Sequence, residues 1–78
     1  VVNDLAFSKD DKYLISGSAD TTAKIWSVQN NFSLKDTIKF HTNAIYGVNI
    51  IKKYNSYFAI TTGYDNQIAL YDIENKRI

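Results

Sequence analysis

The chain holds one histidine, no cysteine and many hydroxyls, so acid–base or nucleophilic chemistry would have to run through His41. The set that offers it is Thr61, His41 and Asp65: a hydroxyl, an imidazole and a carboxylate, the three functions of a Ser-His-Asp arrangement. Other chemistries close quickly. One histidine without cysteine builds no transition-metal cluster. Three glycines and no Gly-Lys-Ser/Thr build no phosphate-cradling loop. Asp10 and Asp11, with Asp4, lack the spacing and the glycine of a calcium loop and read as an ordinary turn. No metal and no cofactor is expected. Lys52, Lys53, Tyr54 and Tyr57 interleave bases with aromatics, which suits RNA. With a net charge of only +1 they read more simply as a solvated hairpin tip. Asn31-Phe32-Ser33 fits a glycosylation sequon, but no secretory leader is visible, and it reads as a plain loop.

The elements that must position these residues come from a repeat. SGSADTTAKIW (16–26) places Asp20 six residues before Trp26, and TTGYDNQIALY (61–71) places Asp65 six before Tyr71. Both acids and both aromatics are 45 residues apart, a spacing typical of repeat architectures. Seventy-eight residues form at most one small domain. A chain of that size buries only about 60% of its unfolded surface. No apolar run nears the ~20 residues of a membrane span, and no membrane partner is expected. There is no methionine anywhere, even at the first position, so an internal piece of a longer protein is expected; the absence of cysteine fits a reducing, intracellular compartment, without a choice between cytoplasm and nucleus.

Without proline, the punctuation comes from Asn, Asp, Ser and Lys. Strands are expected at 1–7, 13–18, 23–28 and 34–40, then again at 44–51, 57–62 and 67–73, with Ile78 a possible start of the next. From Phe7 to Asp20 is 13 residues and from Ile50 to Asp65 is 15, so the turn of the second copy should be two residues longer. Leu34, Ile38 and Phe40 alternate with Lys35, Thr37 and Lys39, which gives that strand one wet face. YLIS, AKIW, YFAI and IALY are apolar on both faces, as in sheets covered from both sides. No window sustains helical periodicity, and the class is all-β.

DLAFSKDDKYLISGSADTTAKIWSV resembles the WD-repeat β-propeller family nearly position for position. Lys9 stands at its usual proline, Asp11 at its glycine, and Ser27 at the acid of the Trp-Asp pair. The second copy ends in Tyr71-Asp72, and Phe40-His41 stands at the family's Gly-His. The resemblance implies a propeller fragment: one complete four-stranded antiparallel blade (1–40) and three strands of a second, degenerate one (41–78).

It also implies a structural network. In such a blade the turn aspartate holds a histidine, which reaches a Ser or Thr on the second strand, whose hydroxyl meets the indole N–H. The first copy offers Ser16, Asp20 and Trp26, its histidine lying before Val1. The second offers His41, Thr61 and Asp65, with the last link in doubt because a phenol donates from a different place than an indole. The network accounts for the same three residues as the catalytic set, and no catalytic residue is expected. Asp20, inside a network, should matter more for stability than Asp10 in its turn. Partner-contact positions of the family map to Ala44, Tyr46 and Tyr64, and to Val1, Asn3 and Ala19. The resemblance thus implies a non-enzymatic scaffold binding protein or peptide partners in a multi-subunit complex. The alternative is an RNA-associated subunit of a ribonucleoprotein assembly, acting through Lys52, Lys53 and Tyr54.

Overall fold

A computed structural model describes residues 2–76, so the readings placed on Val1 and Ile78 lie outside the described residues. Seven strands form two antiparallel sheets. The first takes β1 (Val2–Phe7), β2 (Tyr13–Ser18), β3 (Ala23–Ser27) and β4 (Ser33–Ile38) in chain order; the second takes β5 (Ile45–Lys53), β6 (Ser56–Gly63) and β7 (Ile68–Asp72). A single 3-10 turn, Val28–Asn30, follows β3, so that strand stops one residue earlier than its apolar run.

The two hairpins turn differently. Between β1 and β2 the chain uses Ser8 to Lys12, closed by main-chain bonds from Ser8 N to Tyr13 O at 2.9 Å and from Asp11 N to Ser8 O at 2.9 Å. Between β5 and β6 it uses only Tyr54 and Asn55, both at positive φ. Two left-handed residues in a row make the tight turn whose twist matches the flanking strands. The longer second turn expected from the spacing is therefore incorrect. The extra residues lengthen β5 and β6 instead, and Lys52 and Lys53 are strand residues, paired with Tyr57 and Ser56.

Alternation along β4 also fails, for a physical reason. Ile25 pairs with Asp36 but Trp26 with Leu34, which leaves Lys35 as an extra residue. Such a bulge reverses which face each following side chain takes. Leu34 is left exposed while Ile38 is buried, and Asp36 turns toward the second sheet, opposite Ile25. Similar shifts leave Asn3 extra in β1 and Tyr46 extra in β5.

The core is the contact face between the sheets. Tyr13, Ile15, Ala23 and Ile25 of the first pack on Ile45, Tyr57, Ala59 and Tyr71 of the second, with Ile38, Ile50 and Ile73 around them. Backbone approach sets this face: a Cβ on Gly17 would stand 2.7 Å from both Ile45 Cγ2 and Val48 Cγ1. Both neighbours are β-branched and stiff at χ1. The first sheet also supplies acids, and one amide, at the rim of the contact. Asp4 Oδ2 accepts Val48 N–H at 3.0 Å, and the Asn3 amide donates to Ile45 O at 2.9 Å. The Tyr57 phenol donates to Asp10 and the Tyr71 phenol to Asp36.

The outer faces stay open. Val2, Leu5 and Phe7 are exposed on one side, Ile68 and Leu70 on the other. Contiguous uncovered apolar surface of this kind drives association. Residues 1–78 expressed alone should therefore aggregate or fail to melt cooperatively, and a sharp two-state melt of the monomer would contradict this. In the full-length protein, Gly17→Ala should cost about 1–3 kcal/mol by overpacking. Urea unfolding measures it, and an unchanged midpoint would show that the sheets do not approach this closely.

Candidate functional site

Each repeat has a corner built around its aspartate, with the same main-chain pattern. Ser18 N donates to Thr22 O at 3.1 Å and Thr21 N to Ser18 O at 3.3 Å; the counterparts are Gly63 N to Gln67 O and Asn66 N to Gly63 O, both 3.2 Å. Thr21 and Asn66 both take positive φ. Asp20 Oδ1 accepts Thr22 N–H, and Asp65 Oδ1 accepts Gln67 N–H, each at 3.0 Å. An aspartate suits this corner because its short side chain reaches the amide two residues on.

At the second corner three of the sequence-derived residues meet. His41 Nδ1 lies 3.0 Å from Asp65 Oδ2 and His41 Nε2 lies 2.7 Å from Thr61 Oγ1. The carboxylate can only accept, so Nδ1 carries its hydrogen, and Nε2 of the neutral ring accepts the Thr61 O–H. Asp65 also accepts Thr42 N–H at 2.9 Å. Burial raises the Asp65 carboxyl, but the bonds from Thr42, His41 and Gln67 outweigh it and hold the group below the usual carboxylate range. The corner needs Gly63, which the sequence reading missed: a Cβ there would stand 2.7 Å from His41 Nδ1 and 2.9 Å from Asp65 Oδ1. A lone glycine before an acid carries no signal of that approach.

The geometry has the order of a hydroxyl–imidazole–carboxylate set, yet Thr61 is 0% exposed. A nucleophile must meet its substrate within bonding reach, and this hydroxyl meets only protein. The arrangement can tie the segment before β5 to the corner after β6; it cannot attack.

At the first corner Trp26 Nε1–H donates to Ser16 Oγ at 3.3 Å, and Asp20 is held by Thr22 and Ser18. Among the described residues Asp20 bonds only its own turn. Tyr71 does not meet Thr61; its phenol donates across the sheets to Asp36, and burial together with that bond raises it.

The partner-contact candidates lie at the same end of the second sheet. Tyr46 and Tyr64 are 51% and 65% exposed, with ring centroids 4.8 Å apart and planes tilted by 45°. Tyr64 N–H donates to Ala44 O at 2.9 Å, which brings the two loops together. The Asn3 amide is spent on Ile45 O. Ala19 is exposed in its turn.

At the opposite end of the strands stands a cluster that the reading as an ordinary turn missed. Ser8 Oγ–H donates to Asp10 Oδ1 at 2.8 Å, and the same oxygen of Ser8 accepts Lys12 N–H and Tyr13 N–H. Tyr57, edge-on to Tyr13 at 4.9 Å, donates its phenol to Asp10. The Tyr57 bond, with help from Ser8, lowers Asp10 to about 2, and the same bond raises Tyr57 to about 12. Asp10 thus bonds across to the second sheet through Tyr57, while Asp20, among the described residues, bonds within its own turn.

Residues 1–27 match the family described as WD domain, G-beta repeat. Pre-mRNA-processing factor 19 of Oryza sativa subsp. japonica is 35% identical over 74 residues, covering 92% of this chain and 14% of that protein. Jouberin of Mus musculus is 28% identical over 74 residues, covering 95% and 7%. The structure of U3-55K and the crystal structure of RRP9 WD40 repeats each align with a TM-score of 0.81 and 25% identity, over 95% of this chain and 22% of theirs. The chain thus spans a small part of the relatives it matches.

Asp10 carries the prediction. Its carboxyl is depressed on folding, so its stabilisation is present above the ordinary carboxylate value and fades as pH falls from about 4 toward 2. Tyr57 is raised, so its share is present below the ordinary phenol value and fades as pH rises from about 10 to 12. Asp10→Asn should lower the melting temperature at pH 7 and flatten the acid limb. An unchanged melting temperature and acid limb would overturn the cross-sheet role of Asp10.

Proposed function

The chain belongs to the WD-repeat β-propeller family, of which it carries about two repeats, and on that premise we propose that it is a non-enzymatic scaffold in a multi-subunit complex. In this reading residues 1–40 form one blade and 41–78 begin the next; the bonding of His41 to Thr61 and Asp65 supports that division. The corner network holds the loops, and the loops present side chains to protein or peptide partners inside the cell.

One observation carries the reading: two tyrosines, each more than half exposed, stand side by side on one rim with their rings tilted by 45°. Tyrosine combines large contact area, few rotamers and a polar tip, which is why it anchors interfaces. The corner beneath them is pinned by Asp65 and Gly63 and would lose little entropy on binding.

A second reading has its own support. Tyr54 is 89% exposed with Lys53 Nζ 5.5 Å from its ring centroid, and one relative is named for pre-mRNA processing. An RNA contact there would be strongly salt-dependent.

Tyr46→Ala/Tyr64→Ala in the full-length protein should weaken partner capture about tenfold or more, with an unchanged melting temperature. Co-purification with quantitative mass spectrometry reads the first and thermal melting the second. Retained capture by the double variant, together with RNA binding lost on Lys52→Glu/Lys53→Glu, would favour the RNA reading instead.

A further inference from the structure

The end of the strands opposite the tyrosine pair holds a cleft of about 380 Å³ between the two sheets, lined by Ser8, Lys9, Asp10, Ile50, Ile51, Lys52 and Tyr57. Its floor is apolar, with Ile50 buried and Ile51 partly exposed. Its rim is basic. Lys9 and Lys52 border it, and Lys12 Nζ lies 5.3 Å from the Tyr57 ring centroid, as does Lys52 Nζ. Lys35 Nζ caps the neighbouring Tyr13 ring at 5.8 Å.

The acids nearby offset this rim only in part: Asp10 lines the cleft as a carboxylate and attracts Lys52, and the lysines outnumber it. Asp10 is taken up by Ser8 O–H, Lys12 N–H and the Tyr57 phenol. Glu74 bonds the Tyr13 phenol. Among the described residues the one ion pair is His41 with Asp65, so these lysines have no carboxylate within ion-pair distance. The ammonium groups of Lys12, Lys35 and Lys52 stand over the Tyr13 and Tyr57 rings.

We propose that this inter-sheet cleft binds a short acidic peptide segment through one apolar side chain. That side chain seats between Ile50, Ile51 and Tyr57, and flanking carboxylates meet Lys9 and Lys52. A rim in which lysines outnumber carboxylates, around an apolar floor, is complementary to that chemistry. Nucleic acid fits less well. The faces of Tyr13 and Tyr57 are taken up by their edge-to-face contact and by lysine ammonium groups, so neither presents an open face for a base to stack on. The cleft also lies apart from the tyrosine pair. Tyr46 and Lys52 stand near opposite ends of β5, roughly 20 Å apart at the rise of an extended strand.

The test is fluorescence anisotropy on the full-length protein, with a labelled nine-residue peptide of aspartates and glutamates around one central leucine. The expected results are saturable binding, a loss of about tenfold when the leucine is replaced by serine, and a similar loss with Lys9→Glu/Lys52→Glu. Ile51→Asp, at a partly exposed position, gives an independent variant of the floor and should weaken the peptide as well. Partner capture by Tyr46 and Tyr64 should be unchanged in these variants, which separates this cleft from the scaffold rim. Equal binding of the leucine and serine peptides would overturn the proposal, as would affinity unmoved by the charge reversal. Displacement of the peptide by poly(U), with poly(U) the tighter ligand, would do the same.

Discussion

The contact between the two sheets is the constraint from which the rest follows. Neither sheet has a core of its own: the buried side chains of each complete the other's. Close approach at Gly17 brings Ile45 and Val48 within reach of the first sheet's backbone, and only then can the rim bonds form. Asp4, Asp10 and Asp36 each accept a hydrogen bond from the second sheet. The apolar face sets the distance and the acids set the register, since a carboxylate in the wrong place leaves a donor unpaired.

The corners depend on that contact in turn. His41 lies on the connection between the sheets, and its bonds to Thr61 and Asp65 run inside the second sheet while its ring is covered at their junction. The rim above, with Tyr46 and Tyr64, is therefore held by polar bonds beneath it rather than by its own packing. The opposite end follows another rule, with aromatic rings edge to face beneath lysine ammonium groups. One pair of sheets thus carries two surfaces of different character: an exposed aromatic one, and a basic one over an apolar floor.

Most of the strand layout was legible in the sequence, because β-branched runs and a repeat of 45 residues are local signals. The 3-10 turn and the tight Tyr54–Asn55 turn were not, since Val28 reads as strand and an added pair of residues can lengthen either a loop or its strands. The bulge at Lys35 broke an alternation that looked regular on paper. The hydroxyl, imidazole and carboxylate of the second corner were legible as a set because repeat spacing aligned them. Asp10 with Tyr57 and Asp36 with Tyr71 were not, being 47 and 35 residues apart with no period relating them. Gly17 and Gly63 were invisible for a simpler reason: the need for a missing Cβ shows only when the neighbour is in place.

Tyr71 stands where the first repeat has Trp26, and the exchange reroutes a bond. The indole ties its hydroxyl partner within one sheet, whereas the phenol reaches the sheet before it. The two units are in consequence not interchangeable parts. Replacing the second with a copy of the first would take the phenol from Asp36, and exchanging Tyr71 alone for tryptophan would do the same, so a graft of one unit has to carry positions 36 and 71 as a pair.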